Sequence, residues 1–106
     1  MIVSILMRHT RLTERPVWDA ALGTVLPRIQ KLLAEQPGFV SLQYLWGTDE
    51  PGRFAQMTTW ASEDDCRNYI RGGAAATVAT IEDAAVPTAA YPKGSWTRES
   101  FAVAEV

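Results

Sequence analysis

Ile2-Val3-Ser4-Ile5-Leu6-Met7-Arg8-His9-Thr10 is rich in β-formers and apolar at nearly every position. Near-continuous apolarity, in place of alternation, belongs to a strand covered on both faces. A chain of 106 residues buries only about two-thirds of its unfolded surface and has little material with which to cover a sheet twice. The composition sharpens the point. Hydrophobic residues make up 47% of the chain, with four tryptophans, more than a small monomer readily hides, which implies a second buried face at a subunit contact.

The remaining elements follow from periodicity and punctuation. After Pro16, favourable in a first helical turn, Trp18, Leu22, Val25, Leu26, Ile29, Leu32 and Leu33 recur with helical spacing. Pro27 interrupts the ladder and is expected to bend this helix, and Pro37-Gly38 stops it. Phe39 to Trp46 and Arg53 to Ala61 form a hairpin, with Pro51 and Gly52 where a type II turn wants them. Ser62 then starts a helix. Its hydroxyl is placed to cap, Asp65 stands three residues on, and Glu63, Asp64 and Asp65 suit the positive end of the dipole. Gly72-Gly73 breaks that helix before a second piece over Ala74 to Ala85, and Pro87 and Pro92 mark the loop to a last strand, Ser95 to Val106.

The order β-α-β-β-α-β is the ferredoxin-like arrangement: an α+β fold with one four-stranded antiparallel sheet and helices on one face, as a single domain over residues 1–106. The bare sheet face is then covered by a second copy across a two-fold axis. A net charge of −2 without any Lys/Arg run argues against nucleic acid or an anionic membrane as partner. Met1 to Met7 is too short to span a bilayer, and the single cysteine, Cys66, permits no internal disulfide, which points to a cytoplasmic protein. One histidine and one cysteine, far apart, offer no recognisable metal set. Nucleophile triads, phosphate loops and paired carboxylates are absent, and Gly72-Gly73 lacks the lysine of a phosphate loop.

Three stretches carry a resemblance: Gln36-Pro37-Gly38-Phe39 entering the second strand, Asp49-Glu50-Pro51-Gly52-Arg53-Phe54 at the hairpin, and Thr59-Trp60-Ala61-Ser62-Glu63-Asp64 at the strand-to-helix junction. In their order and spacing the chain resembles the antibiotic biosynthesis monooxygenase family of the dimeric α/β-barrel superfamily. The resemblance implies a pocket between sheet and helices in each subunit of a homodimer. It also implies oxygenation of a polycyclic anthrone- or quinol-type aromatic by dioxygen, with neither metal nor flavin. Oxygenases of the family resemble this chain in a tryptophan at Trp60 and an amide four residues earlier, here Gln56. A tyrosine that some of them carry falls near Cys66, and Tyr69, one helical turn on, is the residue that could take its place. Haem-degrading members need a histidine on the second helical region, whereas His9 is on the first strand.

The candidate catalytic residues are therefore Trp60, Gln56 and Tyr69. Residues 54, 56, 58 and 60 share one strand face, and the helix from Ser62 must fold back over it, so the expected cavity has Trp60 as its floor and Gln56 and Tyr69 as polar contacts. Trp60 reads equally as core and as cavity wall. Gln56 needs either a backbone partner or a polar cavity, and Tyr69 is either a snorkelling core residue or a pocket hydroxyl. Arg8, His9, Arg98 and Trp96 are the candidate substrate-binding residues. A buried arginine requires a carboxylate or an anionic ligand, and His9 is the one side chain that obviously titrates near neutral pH. Cys66 reads as a small buried hydrophobe. A non-catalytic, ligand-binding or stress-associated barrel protein with the same pocket is the alternative function.

Overall fold

The computed structural model describes residues 1–89 and 96–104. The elements are β1 (Ile2–His9), α1 (Arg15–Ala34), β2 (Phe39–Trp46), β3 (Arg53–Trp60), α2 (Glu63–Arg71), α3 (Ala74–Ala85) and β4 (Trp96–Ala102). The strands form one antiparallel sheet in the order β2-β3-β1-β4. This is the α+β, ferredoxin-like arrangement expected. Of the expected last strand, Ser95 to Val106, the strand holds Trp96–Ala102 and leaves out Val103 and Ala104, while Ser95, Glu105 and Val106 lie outside the described residues; Thr10, expected in the first strand, forms an isolated bridge with Thr88.

The register assigns the faces. Ile2, Ser4, Leu6 and Arg8 of β1 stand opposite Trp60, Thr58, Gln56 and Phe54 of β3, and Leu42, Tyr44 and Trp46 of β2 continue the same rows. This is the face the helices cover, because Trp60 stacks on Tyr69 of α2 and Trp18 of α1 packs against Phe54 and Trp46. The opposite face carries Val3, Ile5 and Met7 with Ala55, Met57, Leu45 and Phe101, alongside the polar Gln43, Thr59, Thr97 and Glu99, and among the described residues no helix crosses it. Leu45 and Phe101 are 45% and 51% exposed. The double apolarity of β1 thus has one half explained within the chain, and one half left facing outward.

Helix α1 supplies much of the core. Trp18, Leu22, Val25, Ile29 and Leu33 recur every three or four residues and are all buried. Full burial of an aliphatic side chain such as Ile29 or Leu33 stabilises the fold by about 1.5–3 kcal/mol. Pro27 lies inside this helix without ending it. Pro27 has no N–H to give to the Gly23 carbonyl, but both residues are exposed, so that carbonyl is open to solvent. At the hairpin the Arg53 amide bonds to the Glu50 carbonyl at 3.1 Å and Gly52 has φ +87°, the geometry of a type II turn.

Two glycines set the entry and exit of the β3–α2 unit. Gly73, at φ +93°, lets the chain restart as α3 after α2. Gly38, at φ +76°, passes directly over the Asp65 side chain, where a Cβ would collide with the carboxylate. Its carbonyl also receives the Ala61 amide at 2.8 Å. Asp65 is meanwhile engaged by Ser62, whose Oγ accepts the Asp65 amide at 3.1 Å and donates to its Oδ2 at 2.8 Å, completing the expected cap. Gly38→Ala combines a left-handed backbone with this collision. It is expected to cost about 2 kcal/mol or more in urea unfolding, against a change within about 0.5 kcal/mol for the exposed Ala34→Ser control.

Candidate active site

Three strands send a polar side chain from the covered face to one point on α3. Arg8 of β1, Tyr44 of β2 and Gln56 of β3 converge on Glu82, which is completely buried. Arg8 Nη1 donates to Glu82 Oε1 at 2.8 Å. The other oxygen, Oε2, accepts the Tyr44 hydroxyl at 2.6 Å and Gln56 Nε2 at 2.9 Å. Gln56 also lies 3.2 Å from the Tyr44 oxygen. Arg8 Nη2 reaches Asp83 Oδ1 and donates to Thr88 Oγ1 at 2.7 Å, and Thr88 in turn donates to Asp83 at 3.0 Å. Burial, and then the Glu82 carboxylate beside it, push the Tyr44 hydroxyl far above the ordinary phenol range. Tyr44 is therefore fixed as a donor.

Beside this network a cavity of about 520 Å³ opens between β1, β4, α2 and α3. Leu6, Ile70 and three alanines of α3, Ala75, Ala76 and Ala79, make its apolar walls. Arg8, Asp83, Thr88 and Arg98 supply the polar groups. The space has a simple origin. Alanine side chains are too short to reach the sheet, so the alanine-rich stretch of α3 leaves a gap over β1 and β4 that longer residues would have filled. An apolar hollow of this size with a few convergent polar groups has the makings of a small-molecule site.

The structure brings Arg8 and Arg98 to this cavity but distributes the other expected residues differently. Trp60 is not its floor. It is fully buried, stacked on Tyr69 with ring centroids 4.5 Å apart and edge-on to Phe39, and its indole N–H donates to Thr58 Oγ1 at 2.9 Å. Gln56 likewise does not line the cavity; it meets the Glu82 carboxylate in place of either a backbone group or a ligand. Tyr69 sits behind the wall, and its hydroxyl, buried, has no hydrogen-bond partner among the described residues. Burial above all raises its pKa to about 12, with the nearby Arg98 charge opposing that rise. His9 belongs to the other side of the sheet. Strand side chains alternate, so Arg8 turning to α3 sends His9 outward, where its Nε2 lies 3.6 Å from a Glu50 oxygen. It cannot serve the same cavity. The side chain of Trp96 lies outside the described residues. Cys66 is buried, as expected, and desolvation pushes its thiol above the usual range.

Sequence reasoning missed Glu82, Asp83 and Tyr44. Glu82 had one visible signal: it is a lone carboxylate on the apolar side of a helix, in phase with Ala75 and Val78, both buried. Such a residue must be paired. The choice of partners is a matter of strand register, which the local sequence does not reveal.

Removing one member of a buried ion pair strands the other, whereas replacing both by apolar groups removes the desolvation cost as well. Arg8→Met is expected to destabilise by about 3–5 kcal/mol in denaturant titration. Arg8→Met combined with Glu82→Leu is expected to lose less than the sum of the two single variants, a coupling of about 0.5–3 kcal/mol in the double-mutant cycle.

No family model matches the chain, and no curated protein matches it. Solved structures do. The cofactor-independent oxygenase SnoaB from Streptomyces nogalater is 17% identical, with a TM-score of 0.66 over 99% of this chain and 94% of that one. The monooxygenase from the gene ActVA-Orf6 of Streptomyces coelicolor, solved with the ligand nanaomycin D, is 15% identical, with a TM-score of 0.69 over 99% and 88%. A further antibiotic biosynthesis monooxygenase is 10% identical, with a TM-score of 0.61 over 99% and 100%. Along nearly its whole length this chain has the fold of the antibiotic biosynthesis monooxygenases.

Proposed function

We propose that this protein is a cofactor-independent monooxygenase acting on a polycyclic aromatic small molecule of the anthrone or quinol type. The observation that carries the reading is the cavity of about 520 Å³, apolar on most of its wall and polar at Arg8, Asp83, Thr88 and Arg98. It lies between sheet and helices of a fold whose solved examples include named oxygenases. An activated methylene of such a substrate and dioxygen give a carbonyl and water, with every electron coming from the substrate. The protein's part is then to hold the planar ring, stabilise the carbanion or phenolate left by proton loss, and keep water away.

The residues divide that work. Leu6, Ile70 and the alanines of α3 clasp the ring, and the guanidinium of Arg98 gives the cavity its positive pole. Asp83, a carboxylate of the cavity wall, has Oδ1 held by Arg8 and Thr88, which leaves Oδ2 to receive the substrate's proton. Trp60, Gln56 and Tyr69 act from behind the wall as positioning residues: the stacked rings support α2, and Gln56 holds Glu82 and hence α3. Oxygen-electrode traces with an anthrone and with a reduced quinol test this reading. Uptake of one dioxygen per ketone or quinone oxygen incorporated is expected, and no uptake above the spontaneous rate with either class would refute it. Ala79→Phe should block the cavity and abolish turnover with little loss of stability, while Asp83→Asn should slow turnover by about 10²–10⁴ if the carboxylate is the base.

The assembly proposed is a homodimer with the two bare sheet faces opposed, in a cytoplasmic setting where Cys66 stays reduced. Val3, Ile5, Met7, Leu45, Met57 and Phe101 form an outward apolar surface that water does not favour. Light scattering at micromolar concentration should give the mass of two chains. Phe101→Glu, which replaces the exposed aromatic of that face with a second carboxylate beside Glu99, should give one.

A further inference from the structure

The two arginines of the cavity are not equivalent. Arg8 is neutralised, with Glu82 on one nitrogen and Asp83 on the other. Arg98 of β4 has no carboxylate within ion-pairing distance among the described residues. Its one side-chain hydrogen bond among the described residues is a long one, Nη1 to Ser4 Oγ at 3.3 Å. The side chain is only half-exposed and lines a mostly apolar hollow. A guanidinium drawn out of water in this way is costly to hold unless an anion completes it.

We infer that Arg98 is the anchor for a carboxylate carried by the substrate, so that the cavity takes a polycyclic aromatic acid in one fixed orientation. This rests on the aromatic-binding reading above and narrows it. A carboxylate suits the residue better than a single phenolate oxygen. The planar fork of a guanidinium offers two parallel N–H bonds, which match two oxygens, and Arg98 has donors left over after its bond to Ser4. The opposite charge sits elsewhere in the same cavity, at Asp83, near the C-terminal and therefore negative end of α3. An acid bound with its carboxylate at Arg98 keeps that group away from Asp83, and presents its far edge to the carboxylate that removes the proton. The reverse orientation would set two negative groups against each other.

The test compares anthracene-2-carboxylate with its neutral counterpart 2-(hydroxymethyl)anthracene by fluorescence titration of the whole protein. Wild type is expected to bind the acid about tenfold or more tightly than the alcohol, the strength of a hydrogen bond to a charged group. Arg98→Gln should abolish that preference while leaving the alcohol's affinity within about twofold, and Arg98→Lys should keep part of it as a point charge without the fork. Circular dichroism confirms that each variant is folded. Equal affinity for acid and alcohol in wild type would overturn this inference alone, as would an acid preference that survives Arg98→Gln. Failure of both compounds to bind would overturn it together with the aromatic-binding reading.

Discussion

A carboxylate with no access to water, Glu82, is the point on which the packing of α3 turns. It draws a bond from each of three adjacent strands, through Arg8, Tyr44 and Gln56, and so joins the helix to β1, β2 and β3 at once. Taking the charge out of water costs several kcal/mol, which the attraction to Arg8 and the two further bonds offset only if all are in place. The network adds little to net stability. What it does is specify where α3 sits. An apolar contact could slide along the sheet by a fraction of a turn, whereas Glu82 cannot leave Arg8 without stranding a buried charge.

That fixed placement makes the cavity possible. Helix α3 faces the sheet with alanines as well as Val78, so its packing alone would not hold it at a set distance from β1 and β4. Pinned at Glu82, Asp83 and Thr88 near its C-terminal end, and tied to α2 through Gly73 at the other, the helix spans the gap without collapsing into it. The hollow persists for the same reason that a close-packed interior rarely has one: here the elements around it are held by directional polar bonds, not by volume filling. A ligand site is a place where a core has been left unfinished, and the alanines of α3 leave this one so.

The outward face of the sheet has the opposite character. It is broad, apolar along β1 with Thr59, Thr97 and Glu99 beside that stripe, and among the described residues no helix covers it, while the other face is covered by α1, α2 and α3. Pairing that surface with a second copy would put the two helix layers outside and leave both cavities clear of the contact, since each lies on the helical side of its own sheet.

The chain's own order of residues determined the elements and their sides. Alternation in β3 put Phe54, Gln56, Thr58 and Trp60 on one face; the spacing of Trp18 through Leu33 chose the buried stripe of α1; and Ser62, Gly38 and Pro51-Gly52 set the cap and turns. These are local effects, decided within a few residues by sterics, capping and period. The partners of Gln56 and Arg8 were not legible, because they come from α3, 26 and 74 positions away, and depend on strand order and helix placement together. For the same reason Trp60, conspicuous in sequence, went to the core, while Asp83 and Arg98, unremarkable in sequence, came to the cavity. Period tells which face a residue occupies. Only the folded molecule decides which part of that face is filled by neighbours and which is left open, because the difference lies in the size of side chains brought from elsewhere in the chain.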